Sequence, residues 1–322
     1  MAALGYRVLS SVLMIAALAL VVAFSWDCFG ILAPLAFGAF SVTALLEFYC
    51  LAERKGFKPL RACGVVCALA YVVLLYARSM LDSCSELALT NPDLLVVTAF
   101  MAATMLVLVR RGETENALIT MAVTLAGFVC AVWLPAFILR IALLPPMLPH
   151  PDGRFFLLYF IVLLKGTDIA AYVVGTLMGR HKLAPAISPK KTIEGCVAGL
   201  VASTVLGASL AGVIPSVCIE YRDAADNLSG HGELVGGLFP GVPAPVLLGV
   251  LGGLTGLILS LLGQLGDLAE SLWKRDAGVK DSGSYIPGMG GVLDVLDSFI
   301  FAAPAMYGII WCIERMQSSG RM

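Results

Sequence analysis

The chain has 322 residues, 59% hydrophobic and only 13% charged, with a formal net charge of −1 and a mean hydropathy of +0.92. Soluble domains are about a quarter charged, so a water-soluble globule is excluded and an integral membrane protein is implied. Nothing in this balance points to a nucleic-acid partner.

Apolar stretches of roughly spanning length follow one another at 8–26, 29–51, 62–81, 94–109, 117–140, 155–178, 195–216, 244–264 and 292–312. Each approaches the ~20 residues that a helix needs to cross ~30 Å of hydrocarbon. Backbone groups have no water partner there, so helices are the expected form. The fold class expected is therefore all-α, a polytopic membrane protein with about nine transmembrane helices and a cytoplasm-facing active site. Residues 1–140 supply about five spans, and residues 141–322 form a catalytic region of about four. The first run follows Arg7 with no polar spacer and no small-residue cleavage site before Trp26, so it reads as a retained span. The stretch at 94–109 is short and Pro135 interrupts the next, which leaves those two boundaries soft.

With the N-terminus placed inside, the inner segments hold Arg7, Arg54, Lys55, Lys58, Arg61, Arg110, Arg111, Arg180, Lys182, Lys190, Lys191, Lys274, Arg275 and Lys280. These are fourteen of the 21 basic residues. The positive-inside rule then gives a cytoplasmic N-terminus and a C-terminus outside, in a cell's inner (plasma) membrane. Two basic, glycine-bearing loops, 179–194 and 265–291, face the cytoplasm. The nine cysteines form no CxxC pair and read as small packing residues, and a Cys84–Cys218 disulfide is no more than a guess. His150, His181 and His231 lack metal-ligand spacing and read as solvated bystanders.

Four carboxylates stand at the membrane edge. Asp267 and Glu270 lie one turn apart at the end of the eighth span, and Asp294 and Asp297 share a face at the start of the ninth. Charges at membrane depth are expensive and usually face a protein interior or a water-filled cavity. Two carboxylate-bearing helix ends joined by a glycine-rich loop can converge on a hard cation. Mg²⁺ suits this, because it takes oxygen ligands and bridges carboxylates to substrate phosphates. Asp276 and Asp281 read more simply as interfacial charges paired with Lys274 and Arg275.

Upstream, "GRHKLAPAISPKKTIEG" spans 179–195. Ser188 before Pro189 reads as a helix start, whose free N–H groups attract phosphate beside Lys190 and Lys191. Asp168 with Lys165, and Glu47, are ionisable groups inside apolar spans and therefore functional candidates. These residues alone fit phosphoryl or nucleotidyl transfer to a lipid, and they also fit an anion transporter.

The pattern of Ser271, Lys274, Arg275, Lys280, Asp281, Pro287, Gly288, Gly290, Gly291, Asp294 and Asp297 resembles the signature of the phosphatidate cytidylyltransferases. The run Asp168, Tyr172, Gly175, Gly179, Ser188, Pro189, Lys190, Lys191, Thr192, Glu194 and Gly195 is similar to a second family pattern, and Arg7 and Glu47 look like family positions too. The family usually has histidine where this chain has Met289, and arginine where it has Val295.

The resemblance implies that CTP and phosphatidic acid give CDP-diacylglycerol and pyrophosphate at a lipid bilayer. It implies Mg²⁺ on Asp267 and Asp294, with room for a second cation, and Asp297, Asp281 and Lys274 beside them. Ser188, Lys190, Lys191, Thr192, Arg275, Lys280, Asp168 and the loop at Gly290 and Gly291 would bind substrate. A homodimer is a further expectation. The rivals are a CTP-dependent lipid kinase, a related CDP-lipid synthase, and an ion-coupled transporter working through Asp168 and Asp297. Transport would leave the dense Lys/Asp loop unexplained.

Overall fold

The computed structural model describes residues 26–80, 92–112, 114–144, 153–211, 244–283, 285 and 290–319. The expected first span, Arg7, Cys84, Cys218, His150, His231, Pro287, Gly288 and Met289 lie outside the described residues.

In chain order the helices are α1 (Trp26–Arg54), α2 (Arg61–Met80), α3 (Pro92–Arg111), α4 (Ala117–Phe128), α5 (Ala136–Ala142), α6 (Gly153–Met178), α7 (Ile193–Leu210), α8 (Ala244–Asp276), α9 (Leu293–Leu296) and α10 (Phe299–Ser319). Among the described residues, seven helical segments are long and apolar enough to span a membrane, and α10 adds a shorter apolar stretch over Phe299–Ile313. Seven of the expected spans match these segments within the described residues, whereas the one expected at 292–312 is broken after Leu296 and resumes as helix only at Phe299. Pro135 does not end the fifth. A π-helical turn at Val129–Trp133, closed by the Leu134 N–H on the Val129 carbonyl at 2.9 Å, carries α4 into α5. Proline removes a helical donor, and a widened turn absorbs the mismatch. The chain divides into two compact units, 1–143 with 269–300, and 144–268 with 301–322.

In the first unit, α1 to α5 pack around fully buried Tyr49, Tyr71, Phe100 and Phe128. Glycines admit the Tyr49 ring: a Cβ on Gly64 would lie 2.2 Å from its hydroxyl, and one on Gly127 2.5 Å from its ring. The hydroxyl donates to the Thr124 carbonyl at 2.9 Å, anchoring α1 to α4. Val292, Leu293 and Leu296 of the C-terminal segment complete this core.

The second unit is built on close backbone contacts. A Cβ on Gly207 of α7 would lie 2.2 Å from the Gly252 carbonyl of α8, and one on Gly256 would lie 2.0 Å from the Ser203 carbonyl. The Ser203 hydroxyl donates to Gly256 at 2.9 Å. In a bilayer, where apolar side chains gain nothing by leaving lipid, such small-residue seams are how helices associate.

A short antiparallel hairpin, β1 (Lys182–Ala184) and β2 (Ser188–Thr192), precedes α7. This corrects the expectation that Ser188 and Pro189 begin a helix: they lie on a strand. The helix starts at Ile193, because Thr192 is still extended and its Oγ1 accepts the Gly195 N–H at 3.2 Å. A two-stranded ribbon tolerates Pro189 because every strand in it is an edge.

Candidate active site

Asp294 lies on α9, before the apolar helix that begins at Phe299. Its Oδ2 accepts the N–H groups of Ser282 (3.0 Å) and Gly291 (2.6 Å), with the Ser282 hydroxyl at 2.9 Å. Its Oδ1 is held by the Lys274 ammonium. Gly290, at φ 99°, takes a backbone shape that L side chains rarely adopt, and a Cβ there would lie 2.5 Å from Asp294 Oδ2. Burial pushes the Asp294 carboxyl up, but Lys274 and the Gly291 N–H outweigh it and hold it below the usual carboxylate range.

Lys274 serves a second carboxylate. It also pairs with Glu270, one turn earlier on α8, which is fully buried. Two buried acids thus share one ammonium. Glu47 of α1 brings a third acid, 3% exposed, to the same loop. Sequence reading names Glu47 and Glu270 as candidates but assigns neither a place beside Asp294. The clues were an acid inside an apolar helix and a Glu–Lys pair at i,i+4.

Asp297 follows α9, and its Oδ1 accepts the N–H of Ser298. Asp281, Lys280 and Arg275 are exposed, and Arg275 donates to the Val279 carbonyl at 3.0 Å. Asp276 pairs with Lys55 at 2.9 Å, not with Lys274 or Arg275, and the pair is solvated.

In the second unit, Lys191 pairs with Asp267. Lys190 is exposed on the hairpin, Ser188 is half-buried and Thr192 is buried at the helix cap. Glycines bring α6 against this corner: a Cβ on Gly179 would lie 2.6 Å from the Thr192 methyl, and one on Gly195 2.6 Å from the Ala171 carbonyl. His181 is no bystander. Its Nδ1 lies 2.7 Å from Glu194 Oε1, and its backbone N–H donates to the same oxygen at 3.1 Å, tying the hairpin to α7. Asp168 pairs with Lys165 at 3.0 Å, and both are partly exposed, not a buried pair.

Among the described residues no three His, Cys, Asp or Glu side chains gather into a cage. Mg²⁺ needs none, since one or two carboxylates and substrate phosphates usually hold it. The two expected carboxylates, Asp267 and Asp294, each carry a lysine ammonium.

A cytidylyltransferase family model matches residues 5–313. A phosphatidate cytidylyltransferase of Staphylococcus haemolyticus is 32% identical over 265 residues, which is 82% of this chain and 85% of that protein. The enzymes of the same name from Staphylococcus aureus and Staphylococcus epidermidis are 41% and 39% identical over 155 residues, 48% of each chain. Matched along nearly its whole length, this chain belongs to the cytidylyltransferase family.

Proposed function

We propose that the chain is a multi-pass membrane enzyme that converts CTP and phosphatidate to CDP-diacylglycerol and pyrophosphate. The observation that carries this is the pair of buried acids on Lys274, set under a glycine-bearing loop at the end of a membrane helix. Charge at that depth suits a triphosphate meeting a lipid headgroup.

In the reaction a phosphatidate oxygen attacks the α-phosphorus of CTP. A new P–O bond forms as the bond to the β-phosphate oxygen breaks, and pyrophosphate leaves with that electron pair. A phosphate monoester is largely a dianion near neutral pH, so the nucleophile needs no general base. The residues supply in-line positioning and cancellation of charge. Lys190, Lys191, Lys274, Arg275 and Lys280 hold phosphates. Ser188, Thr192 and Asp168 line the substrate side, and the loop at Gly290 and Gly291 lets backbone approach the nucleotide.

Asp267 and Asp294 are the proposed Mg²⁺ carboxylates, with Asp281 and Asp297 as further carboxylates. When bound, the metal supplies Lewis-acid charge cancellation on the triphosphate. Lys191 and Lys274, which neutralise Asp267 and Asp294 here, are then free to turn to phosphate. A cytoplasmic site in the inner membrane, with the N-terminus inside, suits a water-soluble nucleotide and the placing of the lysines.

The test is transfer of ³²P from CTP labelled at the α-phosphate into extracted lipid, by purified protein with and without Mg²⁺. Metal-dependent labelling of lipid supports the reading. Labelling from γ-labelled CTP alone would replace it with a lipid kinase.

A further inference from the structure

Glu47 lies on α1, 235 positions from Ser282 in the chain, yet its carboxylate is built into the loop that carries Asp294. Oε1 accepts the Val292 N–H at 3.0 Å, and Oε2 accepts the Leu293 N–H at 2.7 Å. The Ser282 Oγ lies 3.1 Å from Glu47 Oε2 and 2.9 Å from Asp294 Oδ2. A hydroxyl carries one proton, so Ser282 can donate to only one of these carboxylates at a time.

The fit around Glu47 leaves no slack. A Cβ on Gly283 would lie 2.2 Å from Oε1, and one on Gly291 would lie 2.5 Å from Oε2. Among the described residues no lysine or arginine pairs with Glu47; backbone N–H groups and a hydroxyl hold it instead. Such an arrangement needs two acceptor oxygens. A glutamine would offer one, and would aim its own N–H groups at donors.

We propose that Glu47 is a positioning residue for cytidylyl transfer: it clasps the backbone of residues 292–293 and, through the Ser282 hydroxyl, sets how Asp294 is presented. The proposal rests on the cytidylyltransferase reading. When a cation draws on Asp294, the Ser282 proton turns wholly to Glu47, so the two acids are linked through one side chain.

The test uses full-length protein and the variants Glu47→Gln and Ser282→Ala. Two quantities are read: the Mg²⁺ concentration for half-maximal transfer, and amide hydrogen exchange at residues 291–293 without substrate. Glu47→Gln is expected to speed that exchange. It should also raise the Mg²⁺ requirement about tenfold, or ~1.4 kcal/mol. Ser282→Ala should raise the requirement by about threefold, or ~0.65 kcal/mol, while the Val292 and Leu293 amides stay protected.

A brace that merely keeps the protein folded would lower kcat at every Mg²⁺ level and leave the half-saturation point where it was. That result in folded Glu47→Gln overturns the proposal, as does unchanged exchange. If Glu47→Gln does not fold, Ser282→Ala decides, and an unaltered Mg²⁺ requirement overturns the proposal. Hydrogen exchange does not depend on turnover, so a wild-type protein that moves no α-label would sink the enzyme assignment and leave the clasp to be judged by its amides.

Discussion

Replacing Gly291 with alanine tests the loop directly. The added Cβ would lie 2.1 Å from Ser282 Oγ, 2.5 Å from Glu47 Oε2 and 2.6 Å from Glu47 Oε1. Ordinary contact begins at 3.4 Å, so the Ser282 oxygen must retreat by about 1.3 Å, which is more than a hydrogen bond tolerates. Overpacking of this kind costs about 1–3 kcal/mol, and losing one hydrogen bond to a charged group costs about 1.5–3 kcal/mol. The total, about 2.5–6 kcal/mol, falls on the seating of the loop. At ~1.4 kcal/mol per tenfold, activity should drop by roughly two to four orders of magnitude. The assay is α-label transfer into lipid per mole of monodisperse protein, with Gly308→Ala as control, since a Cβ there meets nothing within 4 Å. A folded Gly291→Ala protein working within threefold of wild type would refute the reasoning.

Asp294→Asn and Asp267→Asn should each abolish turnover without preventing membrane insertion; near-normal activity of both at limiting Mg²⁺ would remove the metal assignment. Lys274→Met strands two buried acids and should lower stability to chemical denaturation in detergent by about 3–5 kcal/mol. Lys55→Met, which breaks only the solvated pair with Asp276, should cost under ~1 kcal/mol. The folded Asp294 carboxyl titrates below its unfolded value of ~3.9. The unfolded chain therefore binds more protons between the two values, and the stability that Asp294 contributes is full above ~4 and is lost as pH falls through the folded value. Denaturation of wild type and Asp294→Asn as a function of pH should show the difference shrinking on acidification. Lys190→Ala with Lys191→Ala should raise the KM for CTP or lower kcat; unchanged kinetics with altered topology would leave these lysines as orientation signals.

The membrane helices were legible because a spanning segment needs little beyond length and apolarity. Pro135 shows where that rule is too strict, since a π turn carries the helix past it. The hairpin was misread for a physical reason. Serine then proline is a good helix start, but the same residues suit an edge strand, and Thr192 offers the same cap chemistry four positions on. The candidate carboxylates and lysines stood out in the sequence as charges beside apolar spans. Which lysine meets which acid was not, because Lys274–Asp294 and Lys191–Asp267 depend on tertiary contacts across 20 and 76 positions. Val295, beside Asp294 on α9, is half-buried, and nothing in the structure explains why this chain lacks the arginine its family usually has there.

Glu270 and Lys274 also bear on how the protein is made. The ribosome finishes α8 about 18 residues before it reaches Asp294, so the pair within the helix is complete before its final partner is added to the chain. A lone charge at membrane depth costs about 2.5–3.5 kcal/mol on insertion scales. Glu270 and Lys274 stand at i,i+4 with the acid first, the favourable order on a helix. The segment therefore carries its own counter-ion into the bilayer, within one helix and without waiting on Asp294.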